Sequence, residues 1–120
     1  MTYFNQPPQY SGRFTLVEAE EIEFFCDWQG RTTDLSLTRR NIVTRGVRLN
    51  GLLNVEFTIG AVRLRGVELC EPCTILGNAL RSEAIDPAAV IKHWVGRGGL
   101  RVDVLIDGEI LIGDRVKTAI

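Results

Sequence analysis

A chain of 120 residues with 45% apolar and 24% charged content is one domain of ordinary globular composition, able to bury about two-thirds of its unfolded surface. Its formal charge of −1 argues against nucleic acid as a partner, because binding a phosphate backbone demands a strongly basic face. No apolar run approaches a bilayer span, Met1 is followed by polar residues and Pro7-Pro8 rather than by a secretory leader, and the three cysteines are an odd number. These features predict a cytoplasmic protein with no membrane partner and no disulfide framework.

Residues 1–12 contain Gln6-Pro7-Pro8-Gln9 and predict an irregular arm, with Tyr3, Phe4 and Tyr10 lying on something apolar such as a partner chain. From Phe14 to Val17 the sequence reads as a short strand. Thr15 and Glu18 have the spacing of a capping box for a helix that begins near Glu18. On that helix Ala19, Ile22, Phe25 and Cys26 share one face, which makes Cys26 a core thiol, and Gly30 ends it. Charge then reverses: five acids between Glu18 and Asp27 give way to five arginines against Asp34 between Arg31 and Arg48. The plain reading is two solvated faces, and the sharper one is an anion held by Arg39, Arg40 and Arg45.

From Ile42 onward strands dominate. Asn50-Gly51 predicts a hairpin turn, and Leu53, Val55, Phe57 and Ile59 alternate as in a half-buried strand. Val62 and Leu64 keep one phase whereas Val67 and Leu69 take the other, so a bulge is expected at Gly66. Such a bulge re-aims the far end of the strand, where Cys70 and Cys73 lie. Asp86-Pro87 predicts a helix start, with Ile91, Trp94 and Val95 inward, Gly96 as its stop and His93 as an inert helix residue. Leu100, Val102, Val104 and Ile106, with Ile110 and Ile112, predict a second hairpin closed by a three-residue loop at Asp107-Gly108. Gly113-Asp114 breaks or turns its last strand. Short strands and two or more peripheral helices over residues 13–120 predict a mainly β fold, a small antiparallel barrel.

Chemistry concentrates in Cys70-Glu71-Pro72-Cys73. A structural zinc site lacks ligands, since only Cys26 and His93 would join the pair. A thiol–disulfide redox pair wants its motif opening a helix, and Thr74 to Leu80 is weakly helical with Gly77 in its middle. A single reactive cysteine, Cys73, fixed by the preceding proline, competes with the plain reading of one packed and one idle thiol.

Arg39-Arg40-Asn41-Ile42-Val43-Thr44-Arg45-Gly46, Phe57-Thr58-Ile59-Gly60, Cys70-Glu71-Pro72-Cys73 and Gly99-Leu100-Arg101-Val102 through Gly113-Asp114-Arg115-Val116 follow one another in an order that resembles the MOSC domain. This is the β-barrel module named after the C-terminal part of molybdenum cofactor sulfurase. The resemblance runs from about Arg13 to Lys117, and Thr15 to Glu20 resembles the strand-into-helix entry of stand-alone bacterial members. It implies a molybdenum–pterin cofactor, with Cys73 as metal ligand or persulfide carrier and Arg39 and Asn41 as cofactor contacts. Arg40, beside them, is a further candidate contact or a solvated neighbour. Arg97, before Gly98-Gly99, is another candidate, set against the plainer role of a loop arginine. The implied activity is that of a molybdenum-dependent reductase or a sulfur-transfer protein, its partners the anionic cofactor or a sulfur donor. The start of the chain departs from the family, lacking a further strand and a turn, which predicts an exposed sheet edge and a homodimer formed through that edge or the arm. The alternatives are a degenerate, non-catalytic oligomeric interaction module and a redox protein using Cys70 and Cys73.

Overall fold

The computed structural model describes residues 2–4, 13–38, 40–70 and 87–118. Arg39, most of the expected arm, and the segment 71–86 that carries Cys73 and the Asp86 cap lie outside them. The described residues form seven strands: β1 (Thr2–Phe4), β2 (Arg13–Glu18), β3 (Ile42–Thr44), β4 (Glu56–Ile59), β5 (Val62–Leu69), β6 (Leu100–Ile106) and β7 (Val116–Thr118). They form one sheet in the order β1-β3-β2-β6-β5-β4-β7. The mainly β expectation therefore holds, as a half-barrel whose two edge strands are β1 and β7. All pairings are antiparallel except β2 with β3. A parallel pair needs a long crossover, and helix α1 (Ala19–Trp28) lies within it. Helix α2 (Pro87–Trp94) leads into β6. No helix among the described residues is long and apolar enough to cross a membrane.

Two cores hold these layers together. Inside the sheet, Phe14, Leu16, Ile42, Leu49, Phe57, Leu64, Leu100 and Val102 pack with their neighbours as one buried cluster. On the other side of β2 and β3, Val17 and Val43 meet Ile22, Phe25 and Cys26 of α1 and Val90 and Trp94 of α2. Burying each large side chain contributes roughly 1.5–3 kcal/mol, so the helices are fastened to the strands that lead into the site. Gly30, at φ +64, closes α1 as expected: its N–H donates to the Asp27 carbonyl and that of Arg31 to the Cys26 carbonyl, a pairing that favours glycine.

Four local expectations are corrected. The capping box does not form, because Thr15 and Glu18 both lie in β2 and α1 begins without a side-chain cap. Glu18 instead accepts the Leu49 N–H at 3.3 Å and faces Arg48 Nε at 3.6 Å. Asn50-Gly51 makes no hairpin but lies in a 3-10 turn over Leu49–Leu52, which buries Leu49 and Leu52 in the sheet core. Two anchored leucines at i and i+3 outweigh the local turn preference. The inward face of α2 is Val90 and Trp94, whereas Val95 is exposed. The last hairpin is absent too. After β6 the chain crosses the β4–β5 turn, where Ala61 N–H meets the Glu109 carbonyl, and β7 pairs with β4, leaving Ile110 buried and Ile112 exposed. The bulge at Gly66 is present, as a register shift between Gly66 and Glu68 against β6.

His93 stacks flat on Trp28 with ring centroids 4.8 Å apart and meets Phe24, Phe25 and Trp94 edge-on or tilted. Burial first, and then the charge of Arg97, holds its pKa below the ordinary 6.5. The unfolded chain therefore binds the proton more readily than the folded one. This contribution to stability is complete above 6.5 and is lost as pH falls through the folded value. In urea unfolding, the drop in midpoint between pH 7.5 and 5.5 is expected to be smaller in His93→Phe than in the wild type, and equal drops would contradict this reading.

Candidate functional site

Strand β5 ends at Leu69, and Cys70 leaves it buried, its N–H donating to the Gly99 carbonyl at 2.8 Å. Opposite lies the Gly98-Gly99 pair that opens β6. The backbones are closer here than any side chain would allow: a Cβ on Gly98 would stand 2.2 Å from the Cys70 carbonyl oxygen, and one on Gly99 only 1.9 Å from that of Leu16. Arg40, just before β3, completes the corner. Its Nε donates to the Gly98 carbonyl at 3.1 Å, and its Nη2 stands 3.6 Å from where a Gly98 Cβ would be. The side chain is half-buried, so a guanidinium reaching from 58 residues away is fixed beside Cys70, where β5 has just ended. A guanidinium anchored through Nε retains Nη donors in a rigid fork suited to an oxyanion.

Asn41 stitches β2 to the start of β3. Its Oδ1 accepts from the Thr15 N–H at 2.9 Å and from the Thr15 hydroxyl at 3.2 Å, and its own N–H donates to Thr15 Oγ1 at 3.3 Å. The Nδ2 amide is its remaining donor group. Arg97 points to α1 instead: Nη1 is 3.4 Å from Glu21 Oε2, and the guanidinium carbon lies 4.9 Å from the centroid of the Phe24 ring. Arg45 also turns to α1, in a two-pronged pair with Glu23 at 2.9 and 3.0 Å. That pairing is the main reason the Glu23 carboxyl lies below the usual carboxylate range. The structure thus gathers Arg40 and Cys70 while Asn41 binds β2, and Arg39 and Cys73 lie outside the described residues.

Cys26 is fully buried on the inward face of α1, as its helical spacing predicts. No group of three His, Cys, Asp or Glu side chains among the described residues is arranged to hold a metal ion. The Gly98 carbonyl that anchors Arg40 and the Thr15 hydroxyl that anchors Asn41 escaped the sequence reading. The adjacent glycines were the available signal, since such a pair opening a strand marks close backbone approach.

The MOSC domain family model matches residues 12–117. No curated protein matches the chain. Among solved structures, the YuaD protein from Bacillus subtilis superposes with a TM-score of 0.73 at 20% identity, over 86% of this chain and 61% of that one. YiiM from Geobacillus stearothermophilus gives 0.74 at 18% identity, over 88% and 53%. YiiM from Escherichia coli gives 0.69 at 13%, over 97% and 66%. At these identities the likeness is one of fold, and the chain spans between 53% and 66% of the length of these three proteins. With the family model matched along almost the whole chain and the half-barrel shared with these structures, the protein belongs to the MOSC domain family.

Proposed function

We propose that the corner formed by Arg40, Gly98 and Cys70 holds the anionic part of a molybdenum–pterin cofactor, with the Cys73 thiolate beside it. The observation that supports this most is the 3.1 Å bond that fixes Arg40 to Gly98, whose neighbour Gly99 accepts from the Cys70 N–H. Three residues of chain reach at most about 11 Å, which bounds how far Cys73 can lie from Cys70. The donor chemistry fits: arginine N–H groups suit a phosphate or dithiolene anion, and a thiolate suits soft molybdenum. When bound, the cofactor supplies redox chemistry at the metal. The chain's own part is to orient the anion through Arg40 and Arg39, to hold β3 in register through Asn41, and to keep Cys73 deprotonated through the adjacent positive charge.

The same cation supports a second reading, sulfur carriage. The Cys73 thiolate attacks the outer sulfur of a donor persulfide, the donor's S–S bond breaks, the donor leaves as a thiolate, and Cys73 retains the persulfide. Absorbance titration with cofactor released from a molybdenum enzyme tests the first reading, and mass spectrometry after exposure to a small-molecule persulfide tests the second. Cofactor uptake that is lost in Cys73→Ser is the expected result. Equal uptake by the variant would remove Cys73 from the site. Neither cofactor uptake nor persulfide formation by the wild type would leave an interaction module without chemistry.

A further inference from the structure

Among the described strands β7 is an edge of the sheet: one side pairs with β4 and the outer side with no other described strand. A cleft of about 420 Å³ lies between the start of β7 and the chain just after β3, lined by Arg45, Gly46, Val47, Gly113, Arg115 and Val116. Its walls are unusual in two respects. Gly46 and Gly113 have φ +81 and +96, and a Cβ on either would meet nothing within 4 Å, so bare backbone faces open space rather than close packing. Charge is also unevenly matched. Arg45 is paired with Glu23, and Gly46 N–H is taken by Glu20, whereas Arg115 is exposed and makes no ion pair with the described residues. Lys117, one position further along β7 from Val116, is exposed and likewise makes no such pair.

An open strand edge offers backbone donors and acceptors at the spacing of another strand. Glycine walls admit a backbone at close range, while Val47 and Val116 give its side chains an apolar floor. We propose that this seam takes an extended segment of another polypeptide, added as a strand to the outer side of β7, with aliphatic residues over Val47 and Val116 and a carboxylate on Arg115. The proposal is independent of the cofactor reading.

The test uses two labelled octapeptides, one alternating valine with glutamate and the other valine with lysine, titrated against the full chain by fluorescence anisotropy. The glutamate peptide is expected to bind at least about 10-fold tighter, with Arg115→Glu reversing the preference. Hydrogen exchange is expected to slow at the Val116–Thr118 amides when the glutamate peptide binds. Arg115→Gln, which removes the charge at an exposed position, separates lost attraction from added repulsion and should weaken the glutamate peptide only. Equal binding of the two peptides, absence of binding up to about 1 mM, or protection away from β7 would overturn the proposal. So would a wild-type dimer in sedimentation that Arg115→Glu splits, because the occupant would then be a second copy of this chain.

Discussion

Gly99→Ala should lower the unfolding free energy by about 3 kcal/mol and the thermal midpoint by roughly 10 °C or more. Gly99 sits at φ +103, and a Cβ there would stand 1.9 Å from the Leu16 carbonyl oxygen and 3.0 Å from its carbon. Both contacts are backbone, and Leu16 is locked between Leu100 on β6 and Ile42 on β3. Relief therefore requires β2 and β6 to separate at the point where the buried Leu16 and Leu100 pair. Gly30→Ala supplies the comparison. Gly30 also has positive φ, at +64, but nothing lies within 4 Å of its added Cβ, so only the conformational cost of about 1 kcal/mol applies. Thermal and urea unfolding of the two variants separate the clash from the dihedral. Equal losses would mean that the close approach at Gly99 is not a constraint.

Arg40→Ala should weaken the proposed binding of a molybdenum–pterin cofactor about 10- to 100-fold, as expected when charge-assisted hydrogen bonds contributing roughly 1.5–3 kcal/mol are removed. The change in stability should be smaller, about 1 kcal/mol, because what the fold loses is one part-buried bond to the Gly98 carbonyl. Arg40→Lys keeps a charge but cannot both bond Gly98 through Nε and offer a planar fork, so an intermediate affinity is expected. Absorbance titration and melting curves on the three proteins check both effects. An unchanged affinity in Arg40→Ala would assign that side chain to structure alone.

The parts of the fold legible in the sequence are those fixed by period and by local backbone geometry. The buried face of α1, the alternation of Phe57 and Ile59 with Val62 and Leu64, and the bulge at Gly66 all follow from where apolar residues recur. Elsewhere distant packing overrides the local signal. Asn50-Gly51 favours a tight hairpin in isolation, but Leu49 and Leu52 are drawn into the sheet core and wind the segment into a 3-10 turn. The tail misled for the same reason: Leu100 to Ile106 and Ile110 to Ile112 look like hairpin partners, yet β7 gains a ladder on β4 instead. Thr15-x-x-Glu18 has the spacing of a cap, but the N-cap position of α1 is Glu18 itself, and Thr15 lies inside β2 with its hydroxyl bonded to Asn41.

The site was legible as a set of residue types and not as a geometry. The basic run around Arg40 and the thiols at the end of β5 stand out in the sequence, whereas the element that joins them, the Gly98 carbonyl accepting from Arg40, carries no side-chain signature. The family resemblance implies Asn41 as a cofactor contact, whereas the bonds its Oδ1 and N–H make are to Thr15, a pairing that the parallel register of β2 and β3 brings about.

The most direct test of the account is the pH dependence of Cys73 alkylation by iodoacetamide, mapped by mass spectrometry in the wild type and in Arg40→Ala. On the proposed arrangement, the Cys73 thiol should reach half its limiting rate well below the ordinary value of about 8.5, and that midpoint should move upward when Arg40 is removed. If Cys73 titrates near 8.5 in both proteins, Arg40 and the thiol do not share a site.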